Sequence, residues 1–413
     1  MRAGVSLAPR HQQRPSPPTA VAQAGGGSAT PPASRGPVLI VARAARPLAA
    51  AAAAAGYRPL VVDLFGDEDT RRYAERVRVT PAGPGYRFRP RRLLADLADL
   101  APAGQGVPLV WGTGFEAAPD LLLTLASRHA VLGSSPRGLA ELAAPRRLAA
   151  RLASLGLPHP ALACGRVPAR GRWLVKRRGE AGGWHVRVGT AREDLADDEY
   201  AQAFVPGRSL SVAFVAAAHR IEVLGFSEHL AWSGAAGSFG YVGAVAAARL
   251  PAGLRRAVTD ALPRLARAFG LRGLCGCDFI AAPDGGWCLL EINARPTATF
   301  DLLVTPASAF RAHLAACRGE TWARSRPRSR VHAHAVCHAP DPIQIPNSLD
   351  WPAWVADRPG AGARLPRGAP LCTVRAEGLS PADALAALTR RVQRLRRLLG
   401  VEDPTVPVFR RLA

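Results

Sequence analysis

The stretch that decides the fold is residues 271–299, which read LRGLCGCDFIAAPDGGWCLLEINARPTAT. Two apolar runs, Cys275 to Ile280 and Trp287 to Asn293, flank the tetrad Pro283-Asp-Gly-Gly286. Proline presets the first corner of a turn and glycine supplies positive φ, so a tetrad of this kind between apolar runs predicts a β-hairpin.

Each predicted strand of this hairpin carries an acid among apolar neighbours. Asp278 lies on the first strand, and Glu291 and Asn293 lie two residues apart on the second. Because strand side chains alternate, Glu291 and Asn293 share a face that Asp278 can meet across the hairpin. Two carboxylates and an amide oxygen suit Mg²⁺ or Mn²⁺, and Arg295 would place a guanidinium beside them. The alternative is that both acids are ordinary surface charges on the solvent face of the sheet.

Lys176 is the only lysine in the chain. It precedes a glycine-rich segment in which Gly179, Gly182 and Gly183 would let backbone N–H groups approach phosphate oxygens. A compact ammonium serves as a point charge on phosphate where the planar guanidinium does not fit. We therefore predict a phosphate-binding hairpin here; the alternative is that this lysine survives by chance in an arginine-rich chain.

The segment from Pro37 to about Ser135 alternates short apolar runs with helical segments. This alternation predicts a parallel, Rossmann-like sheet with right-handed crossovers. Ligands of such sheets bind beyond the carboxyl ends of the strands, which makes Asp63, with the nearby run of acids at 67 and 69, and Glu116 candidate substrate contacts. We favour the alternative that these loop acids are solvated turn residues. A glycine-, alanine- and aromatic-rich loop is predicted over 228–243, where Glu228 and Trp232 are further substrate candidates.

Composition excludes some classes of function. The formal net charge is +23, but the arginines are spread along the whole chain rather than gathered with aromatic residues, so no specific nucleic-acid site is predicted. No apolar run is long enough to span a bilayer, so no membrane partner is expected. The seven scattered cysteines contain no CxxC pair and indicate a reducing, cytoplasmic setting.

Four regions follow from the pattern. Residues 1–36 are predicted to be a disordered leader, and residues 37–135 a Rossmann-like domain. Residues 136–320 are expected to form a second part, and residues 321–413 to contribute strands and a basic helix. The expected fold class is α/β, with α+β character in residues 136–320.

A lysine before a glycine-rich hairpin, a strand containing Gln202 before Pro206-Gly207, and an Asp-Phe…Glu-x-Asn-x-Arg hairpin occur here in that order. This order resembles the ATP-grasp superfamily from roughly Pro37 to Val374, and within it the predicted carboligases related to biotin carboxylase. The resemblance implies a Rossmann-like domain, a two-subdomain ATP-grasp domain over residues 136–320 with antiparallel sheets and a lid subdomain at about 160–207, and a small C-terminal extension.

The resemblance also implies roles for residues. Asp278, Glu291 and Asn293 would hold two Mg²⁺ ions between the phosphates of ATP. Lys176 would contact the α- and β-phosphates under a lid that runs from Gly179 to Gly183, and Arg295 would stabilise the transferring phosphoryl group. The adenine pocket would be lined by Gln202, Phe204 and Val205.

Three positions depart from the family pattern. A second lysine that is usual in the superfamily is replaced here by Arg146 or Arg147. Gln202 stands where an acid is common, and Ser209 stands near the position of an acid that often holds the ribose. These departures bear on nucleotide affinity and selectivity rather than on the metal site.

The implied activity is that of an ATP-dependent carboxylate–amine ligase. A substrate carboxylate would be activated as an acyl phosphate and attacked by an amine, giving an amide, ADP and phosphate, in pterin- or furan-linked one-carbon cofactor biosynthesis. The expected partners are small-molecule carboxylate and amine substrates, with a homodimer as a candidate assembly. The alternatives are an ATP-dependent carboxylase that uses bicarbonate and a non-catalytic nucleotide-binding protein.

Overall fold

The computed structural model describes residues 35–232, 239–401 and 409–411. The predicted leader lies outside this range except for its last two residues. Among the described residues, no helix is both long enough and apolar enough to cross a membrane.

A five-stranded parallel sheet forms the N-terminal part of the described chain, as predicted. Its strands lie in the order β3-β2-β1-β4-β5, and every adjacent pair is parallel. The two central strands are apolar runs buried on both faces, which is typical of a parallel sheet covered by helices. The elements of this part are β1 (Pro37–Val41), α1 (Arg46–Ala54), β2 (Arg58–Asp63), α2 (Glu68–Tyr73), β3 (Arg76–Val79), a 3₁₀ turn (Pro84–Tyr86), α3 (Pro90–Leu100), β4 (Leu109–Trp111), α4 (Pro119–Ala126) and β5 (Val131–Leu132).

A small antiparallel sheet follows two connecting helices, and it carries the only lysine. Its strand order is β6-β9-β7-β8, and all four strands fall within the range 160–207 that was expected for the lid. Lys176 pairs with Tyr200, and Leu174 pairs with Gln202. The elements are α5 (Pro136–Leu142), α6 (Pro145–Ser154), β6 (Leu162–Ala163), β7 (Trp173–Arg177), β8 (Arg187–Val188) and β9 (Glu199–Ala203).

A large antiparallel sheet carries the hairpin on which the sequence interpretation is centred. Its strands lie in the order β14-β13-β10-β11-β12-β15-β19-β17, with β20 paired to β11. The sheet continues past residue 320 because β15 pairs with β12. The elements are β10 (Arg208–Ala217), β11 (Arg220–Trp232), β12 (Gly243–Ala246), α7 (Ala252–Phe269), β13 (Gly273–Ala281), β14 (Trp287–Asn293), α8 (Phe300–Leu303), α9 (Pro306–Arg318), β15 (Val331–His338), β16 (Ile343–Gln344), β17 (Val355–Ala356), β18 (Arg364–Leu365), β19 (Pro370–Gly378), α10 (Pro381–Leu398) and β20 (Phe409–Arg411).

The predicted hairpin is confirmed. The Ala282 N–H donates to the Gly286 carbonyl at 2.9 Å, and Gly285 turns the chain with φ +87°. Asp278 pairs directly with Glu291.

One predicted loop is wrong in part. Glu228 and His229 lie inside strand β11, which continues to Trp232, and the loop prediction for residues 233–238 lies outside the described residues. The strand passes Gly225 through a bulge, because Ala213 pairs with Gly225 while Phe214 pairs with Val223. A glycine in an apolar run marked a bulge here rather than the end of a strand.

Candidate active site

The three predicted metal ligands meet on one face of the β13–β14 hairpin. Asp278 lies opposite Glu291, and Asn293 Nδ2 donates to Asp278 Oδ2 at 3.2 Å. The alternation of strand side chains therefore gives the side-chain arrangement expected from the sequence.

The two carboxylates, with Lys176 and Arg295, mark out a region that we call the cleft, and both carboxylates reach solvent. The Asp278 side chain is 22% exposed, and Glu291 keeps access to solvent although protein surrounds it. Burial raises the pKa of Glu291, and the nearby charge of Asp278 raises it further, while Arg295 and Lys176 act in the opposite direction. Because the two acids lie side by side and raise the pKa of Glu291, a further positive charge bound between them would be favourable.

These residues fit a divalent cation that also binds phosphate. Within residues 35–232, 239–401 and 409–411, no group of three or more His, Cys, Asp or Glu side chains is arranged to hold a metal. Two acids and one amide make an incomplete, all-oxygen set, which is how Mg²⁺ is held when substrate phosphates and water supply its other ligands. The set therefore fits Mg²⁺ bound together with a nucleotide.

Lys176 lies close enough to the same acids for their charges to act on its ammonium group. It lies on β7 opposite Tyr200, and burial lowers the pKa of its ammonium while Glu291 and Asp278 act to raise it. Glu291 also raises the pKa of Tyr200. The lysine singled out by composition is thus an electrostatic neighbour of the metal-ligand candidates.

Arg295 joins the hairpin to the parallel sheet. Its guanidinium is buried, and its Nε donates to Glu116 Oε1 in the loop that follows β4. The other Glu116 oxygen accepts from the Gly114 N–H at 2.7 Å. Burial would raise the pKa of Glu116, but Arg295 holds it below its ordinary value. Glu116, predicted as a substrate contact, thus lies at the site and positions Arg295.

The glycine-rich segment is folded over this region. Gly179, Gly182 and Gly183 all have positive φ, at +68°, +82° and +73°. A side chain at Gly179 would overlap the backbone of Ala117, next to Glu116. On the other side, the Tyr241 N–H donates to the Gly182 carbonyl at 2.7 Å.

A salt bridge joins the same segment to the N-terminal part of the chain, because Arg87 Nε lies 3.2 Å from Glu180 Oε1. The segment therefore packs against both sides of the cleft.

The residues expected around adenine lie together at the end of the small sheet. Gln202 is buried, and Phe204 and Val205 are half-buried. The Phe204 N–H already donates to the Arg172 carbonyl at 2.9 Å, and the Arg172 guanidinium lies 4.1 Å from the Phe204 ring centre. The Phe204 N–H is therefore already engaged within the protein.

Arg146, predicted to stand in for a lysine, is exposed and lies beside the Cys164 thiol. Burial raises the pKa of Tyr200, and the nearby charges of Glu291 and Cys164 raise it further.

The remaining substrate candidates differ in their surroundings. Glu228 is buried and accepts two hydrogen bonds from Arg208, at 3.1 and 2.8 Å, which gives this carboxylate a structural partner. The Trp232 side chain lies outside the described part of the chain. Asp63, Asp67 and Asp69 are 0%, 7% and 8% exposed, so the interpretation of these acids as solvated turn residues is wrong.

Side chains of the large sheet also lie beside the predicted metal ligands. His229 Nε2 lies 3.8 Å from Asp278 Oδ1, and its Nδ1 lies 3.1 Å from Ser209 Oγ. The Tyr241 hydroxyl lies 2.6 Å from His334 Nε2, and the charge of Asp278 acts on this tyrosine. Because β12 and β15 lie beside β11 only in the folded sheet, sequence spacing gave no sign of these contacts.

Part of the chain that carries this site matches a known domain family. Residues 146–299 match the ATP-grasp domain family. No curated protein matches the chain in sequence.

Three solved structures are among those with a similar fold. The biotin carboxylase domain of Hydrogenobacter thermophilus 2-oxoglutarate carboxylase, in complex with MgADP, ADP and bicarbonate, has a TM-score of 0.67 at 12% identity over 86% of this chain and 89% of that chain. Campylobacter jejuni biotin carboxylase has a TM-score of 0.66 at 13% identity, over 86% and 90%. Staphylococcus aureus N5-carboxyaminoimidazole synthetase with ADP has a TM-score of 0.63 at 13% identity, over 89% and 98%. At these identities the likeness is one of fold.

Proposed function

We propose that the chain is an ATP-dependent ligase that joins a carboxylate to an amine, starting from the match of residues 146–299 to the ATP-grasp domain family. The observation that carries the proposal is the convergence of Asp278, Glu291 and Asn293 with Lys176 and Arg295 around one cleft. Two acids for a metal and two cations for phosphate are what phosphoryl transfer from ATP requires.

Each residue has a defined part in this proposal. Asp278, Glu291 and Asn293 hold Mg²⁺, which offsets charge on the γ-phosphoryl group when ATP is bound. Lys176 binds the α- and β-phosphates as a compact charge. Arg295, held in place by Glu116, donates to the phosphoryl oxygens through the edge of its guanidinium that Glu116 leaves free.

The reaction proceeds in two steps. An oxygen of the substrate carboxylate attacks the γ-phosphorus and ADP leaves, which gives an acyl phosphate. The amine nitrogen then attacks the acyl carbon, phosphate leaves, and the nitrogen loses a proton to form the amide. The glycine-rich segment over the cleft excludes water, which would otherwise hydrolyse the acyl phosphate.

The nucleotide part of this proposal has support from the fold. The similar structures named above include complexes with ADP and with MgADP. ATP and Mg²⁺ are therefore the cofactors to test first. A role in pterin- or furan-linked cofactor biosynthesis and a cytoplasmic location stay predictions.

A carboxylase that uses bicarbonate is the second candidate. It is favoured by the similarity to a biotin carboxylase domain solved with bicarbonate. In both candidates a carboxylate-type oxygen receives the phosphoryl group, so the metal site and Arg295 serve either reaction. They differ in what reacts with ATP first.

An ADP-release assay separates the two. The purified protein with MgATP is screened against amino acids, diamines and aromatic amines paired with small carboxylic acids, with and without bicarbonate. We expect ADP release to require both an acid and an amine and to be indifferent to bicarbonate. Release that needs bicarbonate would favour the carboxylase, and binding of MgADP without turnover under any pairing would indicate a non-catalytic nucleotide-binding protein.

A further inference from the structure

Arg43 lies at the middle of the carboxyl edge of the parallel sheet, in the bend that follows β1. Its N–H donates to the Thr113 carbonyl at 2.8 Å, in the loop after β4, and its carbonyl accepts the Leu64 N–H at 3.2 Å, in the loop after β2. The sheet places β2 and β3 on one side of β1 and β4 and β5 on the other. Arg43 therefore lies at the switch point of the sheet, which is where ligands of open parallel sheets bind.

The side chain of Arg43 has no partner in the part of the chain that the structure describes. Its Nε is buried and makes no hydrogen bond, and no carboxylate of the described residues forms an ion pair with its guanidinium. The residue is half-buried rather than sealed inside the protein, so it remains in contact with solvent. The guanidinium thus carries a charge that the described fold does not balance.

This lack of a partner distinguishes Arg43 from the other inner arginines. Every other arginine that is buried or half-buried among the described residues interacts with at least one other group. Arg46 and Arg295 bind carboxylates, for example, and Arg358 donates to two backbone carbonyls. The fold therefore supplies acceptors for these arginines and leaves Arg43 without one.

The chemistry of the Arg43 guanidinium indicates what it can bind. A guanidinium stays positively charged and has only donors, so its acceptors must come from another group. A buried donor that lacks an acceptor costs free energy. Carboxylate and phosphate groups meet this need, because two of their oxygens can accept from two guanidinium nitrogens at once. The unpartnered Nε of Arg43 therefore fits an anionic group of a bound ligand.

The loop after β4 connects Arg43 to the candidate active site. Its Thr113 carbonyl accepts from the Arg43 N–H, and three residues later the Glu116 carboxylate accepts from Arg295. Between them, the Gly114 N–H donates to Glu116 at 2.7 Å and holds the loop in this shape. Because three residues span at most about 11 Å, Arg43 and Arg295 lie within reach of one small molecule.

We propose that Arg43 binds a second anionic group, a carboxylate or a phosphate, on the acid substrate. This inference rests on the ligase function proposed above and names its substrate class, which is an acid that carries a second negative group. The reacting carboxylate must meet the γ-phosphoryl group beside Arg295, so the group at Arg43 is the one that does not react. Arg43 thereby selects dianionic acids over monocarboxylic acids, and the bonds made and broken in the reaction stay the same.

The test compares succinate, whose second group is a carboxylate, with 3-phosphonopropionate, whose second group is a phosphonate, and with propionate, which has no second group. Binding is measured by calorimetry at pH 7 on protein saturated with Mg²⁺ and a non-hydrolysable ATP analogue, which occupies the γ-phosphoryl position. We expect wild-type protein to bind at least one dianionic acid, and Arg43→Gln to bind that acid at least ten-fold more weakly. The control is Arg128→Gln, exposed at the opposite edge of the same sheet between α4 and β5, which should bind it normally. The acid that binds more tightly identifies the second group as carboxylate or phosphate.

Urea unfolding of Arg43→Gln separates ligand binding from a structural role. The variant loses no partner, so it should unfold at the same urea concentration as wild-type protein or a higher one. A marked fall would mean that the guanidinium stabilises the fold, and would overturn the assignment. Equal binding of the dianionic acid by Arg43→Gln, an equal loss in Arg128→Gln, or no preference over propionate in wild-type protein would overturn it as well, while leaving the ligase proposal intact. Failure of wild-type protein to bind the ATP analogue would instead count against the proposed function.

Discussion

Arg295 and Glu116 are 179 residues apart in the sequence and form a buried ion pair at the candidate active site. Arg295 follows the acidic hairpin, and Glu116 follows the fourth strand of the parallel sheet. The pair therefore fixes the position of the proposed phosphoryl-binding guanidinium relative to the edge of the sheet where a substrate would bind. Substituting either residue of the pair should therefore affect both stability and catalysis.

Removing Glu116 should destabilise the fold and impair catalysis together. Glu116→Ala leaves a buried guanidinium without its partner, so we expect a loss of about 3–5 kcal/mol in the free energy of unfolding. Glu116→Ala with Arg295→Ala should lose less than the sum of the single variants, since they remove one interaction. Denaturant unfolding of the four proteins in this cycle gives the coupling, and strictly additive losses would contradict a direct pair.

The Arg295→Lys variant tests whether the planar guanidinium group, and not only its positive charge, is required. Lysine keeps the positive charge but cannot bind Glu116 and a phosphoryl oxygen with one rigid group. We expect MgADP to bind with nearly unchanged affinity, while the maximal rate of ADP release falls at least 100-fold. Calorimetry measures the MgADP affinity, and the ADP-release assay measures the maximal rate. A maximal rate close to that of wild-type protein would show that Arg295 does not act in phosphoryl transfer.

Glu291→Gln should stabilise the protein without ligands and weaken its response to metal. The pKa of Glu291 is raised in the fold, so its ionisation favours the unfolded state as pH rises above the ordinary carboxyl pKa. The glutamine variant should therefore have the higher melting temperature at pH 8 and a similar one near pH 4. MnADP should raise the melting temperature of wild-type protein far more than that of the variant.

The control for this experiment is Asp284→Asn, in the exposed turn of the same hairpin. Asp284 is an acid of the same hairpin, but it lies in the turn, away from the cleft. We expect it to match wild-type protein in its response to MnADP at both pH values. A Glu291→Gln protein that responds to MnADP as strongly as this control would contradict the metal site.

The hairpin was predictable because every signal for it is local. The turn tetrad, the apolar runs and the two-residue spacing of Glu291 and Asn293 all lie within one stretch of sequence, and the structure gives the expected turn and facing side chains. The parallel sheet was predictable for the same reason. Strand–helix alternation is a pattern of neighbouring residues.

Other features depend on contacts that local patterns do not record. The segment from Phe300 to Arg318 forms two helices rather than one, because Val304 is extended and Pro306 begins the second helix. The short helix α2 and the arginine-rich strand β3 escaped prediction because neither has an apolar period. Tyr241 and His334 meet only through sheet pairing.

The burial of the aspartates is the most instructive error. Acids in a loop after a strand are usually solvated, and the sequence contains nothing to indicate that the loop beginning at Asp357 would cover them. The partner that excludes solvent comes from the opposite end of the chain. Sequence spacing located Asp63 at a strand end, but only the fold shows that it is fully buried.

The close packing of the glycine-rich segment predicts different effects at two glycines. Gly179 and Gly182 both have positive φ, so alanine strains the backbone at either position, by on the order of 1 kcal/mol. Only at Gly179 does an added side chain overlap the Ala117 backbone; at Gly182 its nearest neighbour is the Trp184 ring, 3.6 Å away. We expect Gly179→Ala to release ADP without forming amide, because water reaches the acyl phosphate. Gly182→Ala should keep ADP release and amide formation coupled, and equal uncoupling in both would mean that backbone strain alone matters.

Asp67→Asn should make the protein more stable at neutral pH. The pKa of Asp67 is raised to about 8 by burial and by three neighbouring aspartates. Its unfolded pKa is near 4, so between pH 4 and pH 8 the unfolded state loses the proton first and the folded state becomes progressively less favoured. Asparagine removes that penalty, so the variant should gain on the order of 2 kcal/mol or more at pH 8 and almost nothing at pH 4.

Urea unfolding of wild-type protein and Asp67→Asn at pH 4, 6 and 8 measures this difference, with Asp260→Asn as the control. A gain that grows with pH agrees with an ionisable acid held without a partner. A loss of stability at pH 8 would mean that Asp67 has a stabilising partner, and a gain independent of pH would assign the effect to packing.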